Sequence, residues 1–269
     1  MIPSIGAVST PRHDALVAAA TAWAEADERV RALLLKGSLA RGEGDERSDL
    51  DLVVVSRPGR LGELWADRRA TAEGLGRWLG GFDEVAWQAP HTFLGFYDGP
   101  VKVDFFYQEG EPVADPWLRS GFEALVDPDA LAHNLRKRLA EPGHADLADF
   151  DPHAWDWLWW MDLKLTRGGE EWLVYLELVK FVETMLLGGH NALTAEPWRG
   201  ASTVERRLGA EVGSELQAAL PAAPRREELR RALDAAIESY LRLRERLSAE
   251  RGMPLAEELG RQVREILGR

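Results

Sequence analysis

The order of apolar and polar positions divides this chain of 269 residues into two parts. In the first part, apolar side chains recur at helical spacing over residues 11–29, and the apolar runs VRALLLK and LDLVVVS predict buried strands. Helical periodicity returns at residues 60–79, and FDEVAWQ and GPVKVDFFYQ predict two further strands, joined through residues 90–99. The pattern therefore predicts an α+β domain in which helices flank a mixed sheet.

The second part of the chain has the periodicity of helices almost throughout. Five segments after residue 150 are long enough for bundle helices, and GG, PW, PAAP and GMP separate them. A stretch richer in Pro, Asp and Gly comes before them. We therefore predict an α+β domain over residues 1–115, a connecting segment over 116–150 and an all-α helical bundle domain over 151–269.

Composition narrows the class of partner. The net charge of −12 disfavours the sequence-independent attraction to phosphates on which most nucleic-acid-binding proteins depend, and it favours a cationic small molecule. The chain has no cysteine, so it can form neither a disulfide nor a thiolate metal site. Residues 1–20 have the pattern of neither a signal peptide nor a membrane span, and we expect a cytoplasmic protein.

Two acids at the start of an apolar strand are the main candidates for chemistry. Asp49 and Asp51 stand two positions apart in DLDLVVV, so a strand directs both carboxylates to the same side of its sheet. At about 6 to 7 Å in an effective dielectric near 20 the two charges repel by roughly 2 to 3 kcal/mol, a cost that a divalent cation would remove. Magnesium suits this arrangement because it takes one or two carboxylates together with substrate phosphates.

Residues that could meet those phosphates lie just upstream. Gly37 allows a tight turn after the first strand, and Ser38 adds backbone N–H groups and a hydroxyl that can bind phosphate oxygens. For Arg41, a phosphate contact and a surface ion pair are equally consistent with the sequence. A third acid, Asp104, interrupts the apolar run VKVDFFY. From a neighbouring strand, about 4.8 Å away, it could reach the same cation or an attacking hydroxyl.

Together these residues resemble the motif of a known superfamily. Gly37-Ser38, Asp49-x-Asp51 and Asp104 are similar in type and spacing to the motif of nucleotidyltransferases with a DNA polymerase β-like catalytic core. The segments DERVRALLLKGSLARGEGDERSDLDL and MDLKLTRGGEEWLVYLELV resemble antibiotic nucleotidyltransferases, especially the lincosamide type. An Asp-x-Asp pair alone is more often a polar feature of an edge strand, but the full motif favours the catalytic interpretation.

The resemblance implies a magnesium-dependent enzyme that transfers a nucleoside monophosphate, usually AMP from ATP, to a hydroxyl of a small molecule and releases pyrophosphate. With the acidic net charge, the implied acceptor is an amine-bearing antibiotic such as an aminoglycoside or a lincosamide. The implied metal ligands are Asp49, Asp51 and Asp104. Asp104 could act as general base, metal ligand or both, and Glu84 is the alternative third acid. The implied nucleotide-binding residues are Gly37, Ser38, Arg41 and Lys164.

Two other functions remain open from the sequence. The chain could be an antitoxin-like or regulatory module of the same fold that acts through a protein partner, or an enzyme that adenylylates a protein hydroxyl. Trp155, Trp157, Trp159 and Trp160 cover all faces of a helix, so packing accounts for some of them, and exposed ones would form a partner surface. A homodimer is also open, and the eleven tryptophans are consistent with it.

Overall fold

The computed structural model describes residues 11–85, 90–99, 101–113, 116–140, 147–194, 201 and 204–268. Contacts within the chain divide it into two compact units, Met1–Pro142 and Gly143–Arg269. None of the described helices is both long and apolar enough to cross a membrane.

The first unit is built on a mixed sheet of six strands. The strands are β1 (Val30–Lys36), β2 (Leu50–Ser56), β3 (Trp78–Glu84), β4 (Thr92–Tyr97), β5 (Val101–Glu109) and β6 (Phe122–Val126). They lie in the order β3-β4-β5-β2-β1-β6, where β2 and β5 run parallel and the other neighbouring pairs run antiparallel. The helices of this unit are α1 (Pro11–Ala26), α2 (Gly37–Ala40), α3 (Leu61–Gly74), α4 (Pro116–Arg119) and α5 (Leu131–Ala140).

The two faces of the sheet pack against different helices. On one face, side chains such as Leu33 and Leu52 form an apolar core with α1 and α3. On the other face, the alternating side chains Leu34 and Val53 pack with Leu135 of α5. Because both faces of the central strands are covered, β1 and β2 have unbroken apolar runs instead of an alternating pattern.

The sheet is larger than the sequence predicts. β4 occupies most of the segment that we expected to connect two strands, and its run TFLGFY has the apolar character of a buried strand. β3 begins at Trp78, inside the predicted helix at 60–79, because α3 ends at Gly74. Asp98 and Gly99 form the turn between the antiparallel strands β4 and β5.

The predicted connecting segment, residues 116–150, contains secondary structure of the first unit. β6 pairs with β1 at the edge of the sheet, and Leu131 and Leu135 of α5 belong to the core on one of its faces. The first unit therefore extends to Pro142, past the predicted end at residue 115. The sequence does not reveal β6 because its run FEALV is only five residues long and does not alternate, so it suits a helix as well as a strand.

The described residues of the second unit that form regular structure are all helical. Its helices are α6 (Phe150–Arg167), α7 (Glu171–Phe181), α8 (Gly188–Leu193), α9 (Val204–Ala219), α10 (Arg226–Arg251) and α11 (Glu257–Ile266), with a π-helical turn at Val182–Leu187. The architecture confirms the predicted fold class, an α+β domain followed by a helical domain. Among the clustered tryptophans, Trp155 is fully buried in the helical core, whereas Trp159 is 41% exposed.

A buried ion pair joins α6 to α10 inside the second unit. Both oxygens of Asp151 receive hydrogen bonds from the Arg244 guanidinium, at 2.9 Å each. Tyr240 donates its hydroxyl to the same carboxylate, and the backbone N–H of Ala256 donates to Oδ2 at 2.8 Å. Because the side chain of Asp151 is fully buried, these donors supply the stabilisation that water would otherwise give its charge.

Candidate active site

Three acidic side chains come together at one face of the sheet. In the parallel pairing of β2 with β5, Asp51 lies directly beside Asp104. Asp49 stands immediately before β2, two positions from Asp51, so it is directed to the same side. This is the face on which Val53, two positions further along β2, packs with α5. The register of the sheet thus places the three predicted acids next to one another.

The turn after β1 is shaped by Gly37. Its φ of 82° lies in the left-handed region that glycine adopts without strain. A Cβ atom at this position would lie 2.1 Å from Oδ2 of Asp51, so the close approach of turn and carboxylate requires a residue without a side chain. Ser38 follows in the single turn of α2, and its carbonyl oxygen accepts a hydrogen bond from the N–H of Glu43 at 2.9 Å.

Helix α1 holds the loop that leads into the acids. Nε2 of His13, a fully buried side chain, lies 2.9 Å from the carbonyl oxygen of Ser48, the residue before Asp49. The hydroxyl of Ser48 in turn accepts a hydrogen bond from the backbone N–H of Asp45 at 2.8 Å. The position of Asp49 is therefore set by contacts outside the sheet as well as by β2.

Two lysines lie among the acids. Nζ of Lys102 is 2.9 Å from Oδ2 of Asp49 and 3.1 Å from Oδ2 of Asp104. Lys36, the last residue of β1, is the register partner of Asp51 across the β1–β2 pair. Its Nζ lies 3.7 Å from the centre of the Phe106 ring, a cation–π contact. Three carboxylates and two ammonium groups leave the cluster one negative charge when all five are ionised.

Burial and mutual repulsion change how readily the acids ionise. Burial, with the neighbouring charges of Asp49 and Asp104, raises the pKa of Asp51 to about 7. Burial also raises the pKa of Asp104, although Lys102 opposes that change. Burial lowers the pKa of Lys102, but its hydrogen bonds to two carboxylates outweigh burial, so the net pKa is raised. Positive charge in addition to that of the two lysines would therefore stabilise the ionised carboxylates.

The acids have the chemistry of a site for a hard divalent cation. Oδ1 of Asp104 is buried and has no hydrogen-bond partner among the described residues, so one oxygen is left for a ligand. A set made only of carboxylate oxygens suits magnesium. As the side chains stand, no three His, Cys, Asp or Glu residues in the described ranges are arranged to hold one metal ion. The Lys102 ammonium bridges Asp49 and Asp104, and metal binding by both would require it to move.

The strand order favours Asp104 over Glu84 as the third acid. Glu84 ends β3, and β4 and β5 separate β3 from β2. With strands about 4.8 Å apart, that distance is roughly 14 Å, too far for a carboxylate on β3 to share a cation with Asp51. Asp104 is on the strand next to β2.

Two basic residues predicted to contact the nucleotide form ion pairs with glutamates. Nε of Arg41 lies 2.9 Å from Glu43, and its Nη1 donates to the hydroxyl of Ser120 at 3.0 Å. The structure thus shows the ion pair, one of the two interpretations that the sequence leaves open for Arg41. In the second unit, Nζ of Lys164 contacts both carboxylate oxygens of Glu170, at 2.9 and 3.0 Å.

Residues 19–83 match the family model described as "Nucleotidyltransferase domain". This part of the chain is similar to a nucleotidyltransferase domain. The match includes Gly37, Ser38, Asp49 and Asp51, and it confirms the predicted recognition as a nucleotidyltransferase and the predicted class of enzyme. Asp104 lies beyond the matched residues, so its assignment depends on the sheet register alone.

Other comparisons add little to the nucleotidyltransferase assignment. No curated protein sequence matches the chain. One similar solved structure is described as an aminoglycoside 6-adenyltransferase from Bacillus subtilis, with 10% sequence identity, a TM-score of 0.39 and coverage of 97% of this chain and 99% of that chain. A similarity this weak carries no argument about the fold or the acceptor of the present nucleotidyltransferase.

Lys36 and Lys102 are site residues that the sequence analysis missed. Lys102 stands two positions before Asp104, so strand alternation places both side chains on the same face of β5. That signal was available in VKVDFFY once Asp104 had been singled out. Lys36 could not be found this way, because its proximity to Asp51 depends on the register between β1 and β2.

Proposed function

We propose that this nucleotidyltransferase transfers a nucleoside monophosphate, AMP from ATP, to a hydroxyl of a small molecule and releases pyrophosphate. The observation that carries the proposal is the side-by-side register of Asp51 and Asp104, with Asp49 on the same face. Gly37 places the upstream turn against this group, because its missing side chain leaves room for the Asp51 carboxylate. The turn that we propose to bind phosphate therefore lies next to the three acids.

The proposed cofactor is Mg²⁺, held by Asp49 and Asp51, with Asp104 as a third ligand or as the general base. When bound, magnesium would neutralise charge on the nucleotide phosphates and favour displacement at the α-phosphorus. Backbone N–H groups and the hydroxyl of Ser38 would bind phosphate oxygens at the turn. Lys102, which now contacts Asp49 and Asp104, would leave them when the cation binds and could then face the phosphates.

The transfer step itself needs a proton acceptor next to the attacking oxygen. We assign that role to Asp104, whose Oδ1 is buried without a hydrogen-bond partner among the described residues. The acceptor hydroxyl would give its proton to this carboxylate while its oxygen forms a bond to the α-phosphorus. The bond between the α-phosphorus and the bridging oxygen would break, and pyrophosphate would leave with that oxygen.

For the acceptor, we propose an amine-bearing small molecule such as an aminoglycoside or lincosamide antibiotic. The net charge of −12 supports this choice because it attracts cations and repels nucleic acid. The test is pyrophosphate release from ATP and Mg²⁺ by purified protein, measured across a panel of such acceptors. Asp49→Asn and Asp51→Asn should each abolish release, whereas Glu46→Gln, which changes an exposed acid of the same loop, should not. Release that persisted in both aspartate variants would overturn the proposal.

A protein acceptor or partner is the second candidate function. The observation in its favour is an apolar stripe on α7 of the second unit, where Trp172 is 67% exposed and Leu176 51% exposed. Exposed apolar surface on a helix is typical of interaction sites, including those of homodimers. Incubating a lysate with ATP labelled in the α-phosphate would distinguish the two candidate functions. Label would enter small molecules in one case and a protein band in the other, and mass spectrometry would identify the product.

A further inference from the structure

Two phenylalanines expose their rings on the sheet of the first unit. Phe82 of β3 is 51% exposed and Phe96 of β4 is 37% exposed. Their ring centroids lie 6.1 Å apart and the ring planes are 28° from parallel, so the two side chains form one stacked pair. Adjacent exposed apolar side chains that form one surface are a feature of ligand-binding sites.

The register of the sheet connects this pair to the three acids. Asp51 lies beside Asp104, Asp104 beside Leu94 of β4, and Leu94 beside Phe82 of β3. In the next row, Phe96 is the partner of Lys102. Side chains paired across a sheet share a face, so the phenylalanine pair lies on the same face as the carboxylates. Two strand spacings, about 10 Å, separate β3 from β5.

The position of the pair points to the acceptor and not to the nucleotide. The turn at Gly37, which we propose to bind phosphate, follows β1, on the far side of β2 from β5. Asp104, the proposed base, lies on β5 between the turn and the phenylalanines. A molecule whose hydroxyl lies at Asp104 and whose body extends away from the phosphates would therefore cross Leu94 and reach Phe82 and Phe96.

We infer that Phe82 and Phe96 form an acceptor platform, which selects molecules that present a flat apolar ring face about 10 Å or less from the reacting hydroxyl. This inference rests on the proposed function, because the acceptor side is defined by the role of Asp104. Aromatic side chains stack on flat apolar faces, and binding sites for small molecules are commonly lined by such rings around a few polar groups. The platform supplies the apolar part and the carboxylate cluster supplies the polar part.

A matched pair of probes tests the platform directly. Phenyl and methyl glycosides of one sugar offer the same hydroxyls, and only the phenyl compound carries a flat aromatic ring. Binding of each to the full-length protein is measured by ligand-observed NMR titration. The wild type should prefer the phenyl compound about five- to tenfold, and Phe82→Ala and Phe96→Ala should each remove most of that preference. Phe82→Tyr and Phe96→Tyr keep a ring that can stack and should retain it.

Two controls show whether the preference comes from stacking on the platform. Ile266→Ala removes an exposed apolar side chain from α11 of the second unit and should leave the preference unchanged. Binding of ATP with Mg²⁺ should be equal in the wild type and in the alanine variants. An unchanged phenyl preference in both alanine variants would overturn the platform. A loss of ATP affinity in these variants would also overturn it, because the rings would then contact the adenine of ATP.

The same measurements distinguish failure of the platform from failure of the proposed function. Asp49→Asn should abolish pyrophosphate release and leave the phenyl preference intact. If no acceptor supports pyrophosphate release by the wild type but the phenyl preference depends on Phe82 and Phe96, the proposed transfer reaction is wrong and the proposed platform is supported. If release occurs and the wild type shows no preference for the phenyl compound, the proposed platform is wrong and the proposed transfer reaction is supported.

Discussion

Gly37 lies so close to Asp51 that a Cβ atom at position 37 would come within 2.1 Å of Oδ2 of that carboxylate. The φ of Gly37, 82°, is also one that residues with a side chain rarely adopt. The short distance to Asp51 is specific to the site, whereas a positive φ is found in many turns. Substitutions can separate the effect of the lost space from the effect of backbone strain.

The first prediction concerns Gly37→Ala. The new methyl group must displace Asp51 or the turn, so we expect nucleotide-dependent activity to fall at least about tenfold and Mg²⁺-dependent ATP binding to weaken. Gly42→Ala is the matched control, since Gly42 has a φ of 69° in the same loop and nothing within 4 Å of its Cβ position. Kinetics of pyrophosphate release and ATP titrations provide the measurement. Equal losses in the two variants would mean that backbone strain alone explains the effect.

The sequence was sufficient to predict the part of the site that depends on local order. Asp49 and Asp51 precede a long apolar run, which fixes both the strand and its spacing. Gly37 precedes a polar loop after another apolar run, so its turn was also predictable. These features need no knowledge of which strands are neighbours.

The remainder of the site depends on pairings that no local pattern contains. Asp104 was preferred to Glu84 on resemblance, but the physical reason is that β5, and not β3, adjoins β2. The proximity of Lys36 to Asp51 likewise follows from the β1–β2 register. β6 was missed because its short run FEALV suits a helix as well as a strand, and the full extent of the first unit was missed with it.

The second prediction concerns Lys102, whose ammonium bridges Asp49 and Asp104. Lys102→Met leaves these carboxylates less well compensated, and since Lys102 is partly exposed we expect a loss of roughly 1 kcal/mol in unfolding free energy without Mg²⁺. Because the ammonium no longer competes with the cation, Mg²⁺ should raise the melting temperature of the variant more than that of the wild type.

Thermal unfolding with and without Mg²⁺ measures both effects of Lys102→Met. Lys180→Met is the control, because Lys180 is exposed and pairs with Glu177 on its own helix. Its response to Mg²⁺ should equal that of the wild type. Identical Mg²⁺ responses for Lys102→Met and the wild type would contradict competition between ammonium and metal.

The third prediction separates Asp104 from Glu84. Asp104→Asn removes the proposed proton acceptor, and we expect kcat to fall by about 10²- to 10⁴-fold. Glu84→Gln should leave kcat within about twofold, because β4 and β5 separate Glu84 from the carboxylates of β2. Steady-state kinetics with a saturating acceptor give both values. A large loss of kcat in Glu84→Gln alone would assign the third acid to β3 and contradict the register argument.

The fourth prediction concerns the buried pair of Asp151 and Arg244 in the second unit. Burial raises the pKa of Asp151, but hydrogen bonds from Arg244, Tyr240 and the N–H of Ala256 outweigh it, so the net pKa is lowered. A carboxyl whose pKa is lower in the folded than in the unfolded state stabilises the fold above the unfolded value of about 3.9. That stabilisation is lost as pH falls from about 4 through the lower folded value.

Asp151→Asn should therefore destabilise the second unit at pH 7, by about 3 to 5 kcal/mol, because it leaves Arg244 buried without its main counter-charge. It should also reduce the loss of stability on acidification below pH 4, since the titrating group is gone. Hydrogen exchange of amides in α6 and α10 localises both effects to this unit of the full-length protein. Asp156→Asn changes an exposed acid of α6, and its exchange rates should match those of the wild type at pH 7 and below pH 4. Loss of the main counter-charge of Arg244 should increase local opening and so speed exchange. Equal exchange rates for Asp151→Asn and Asp156→Asn at pH 7 would therefore mean that the pair of Asp151 and Arg244 contributes nothing to stability.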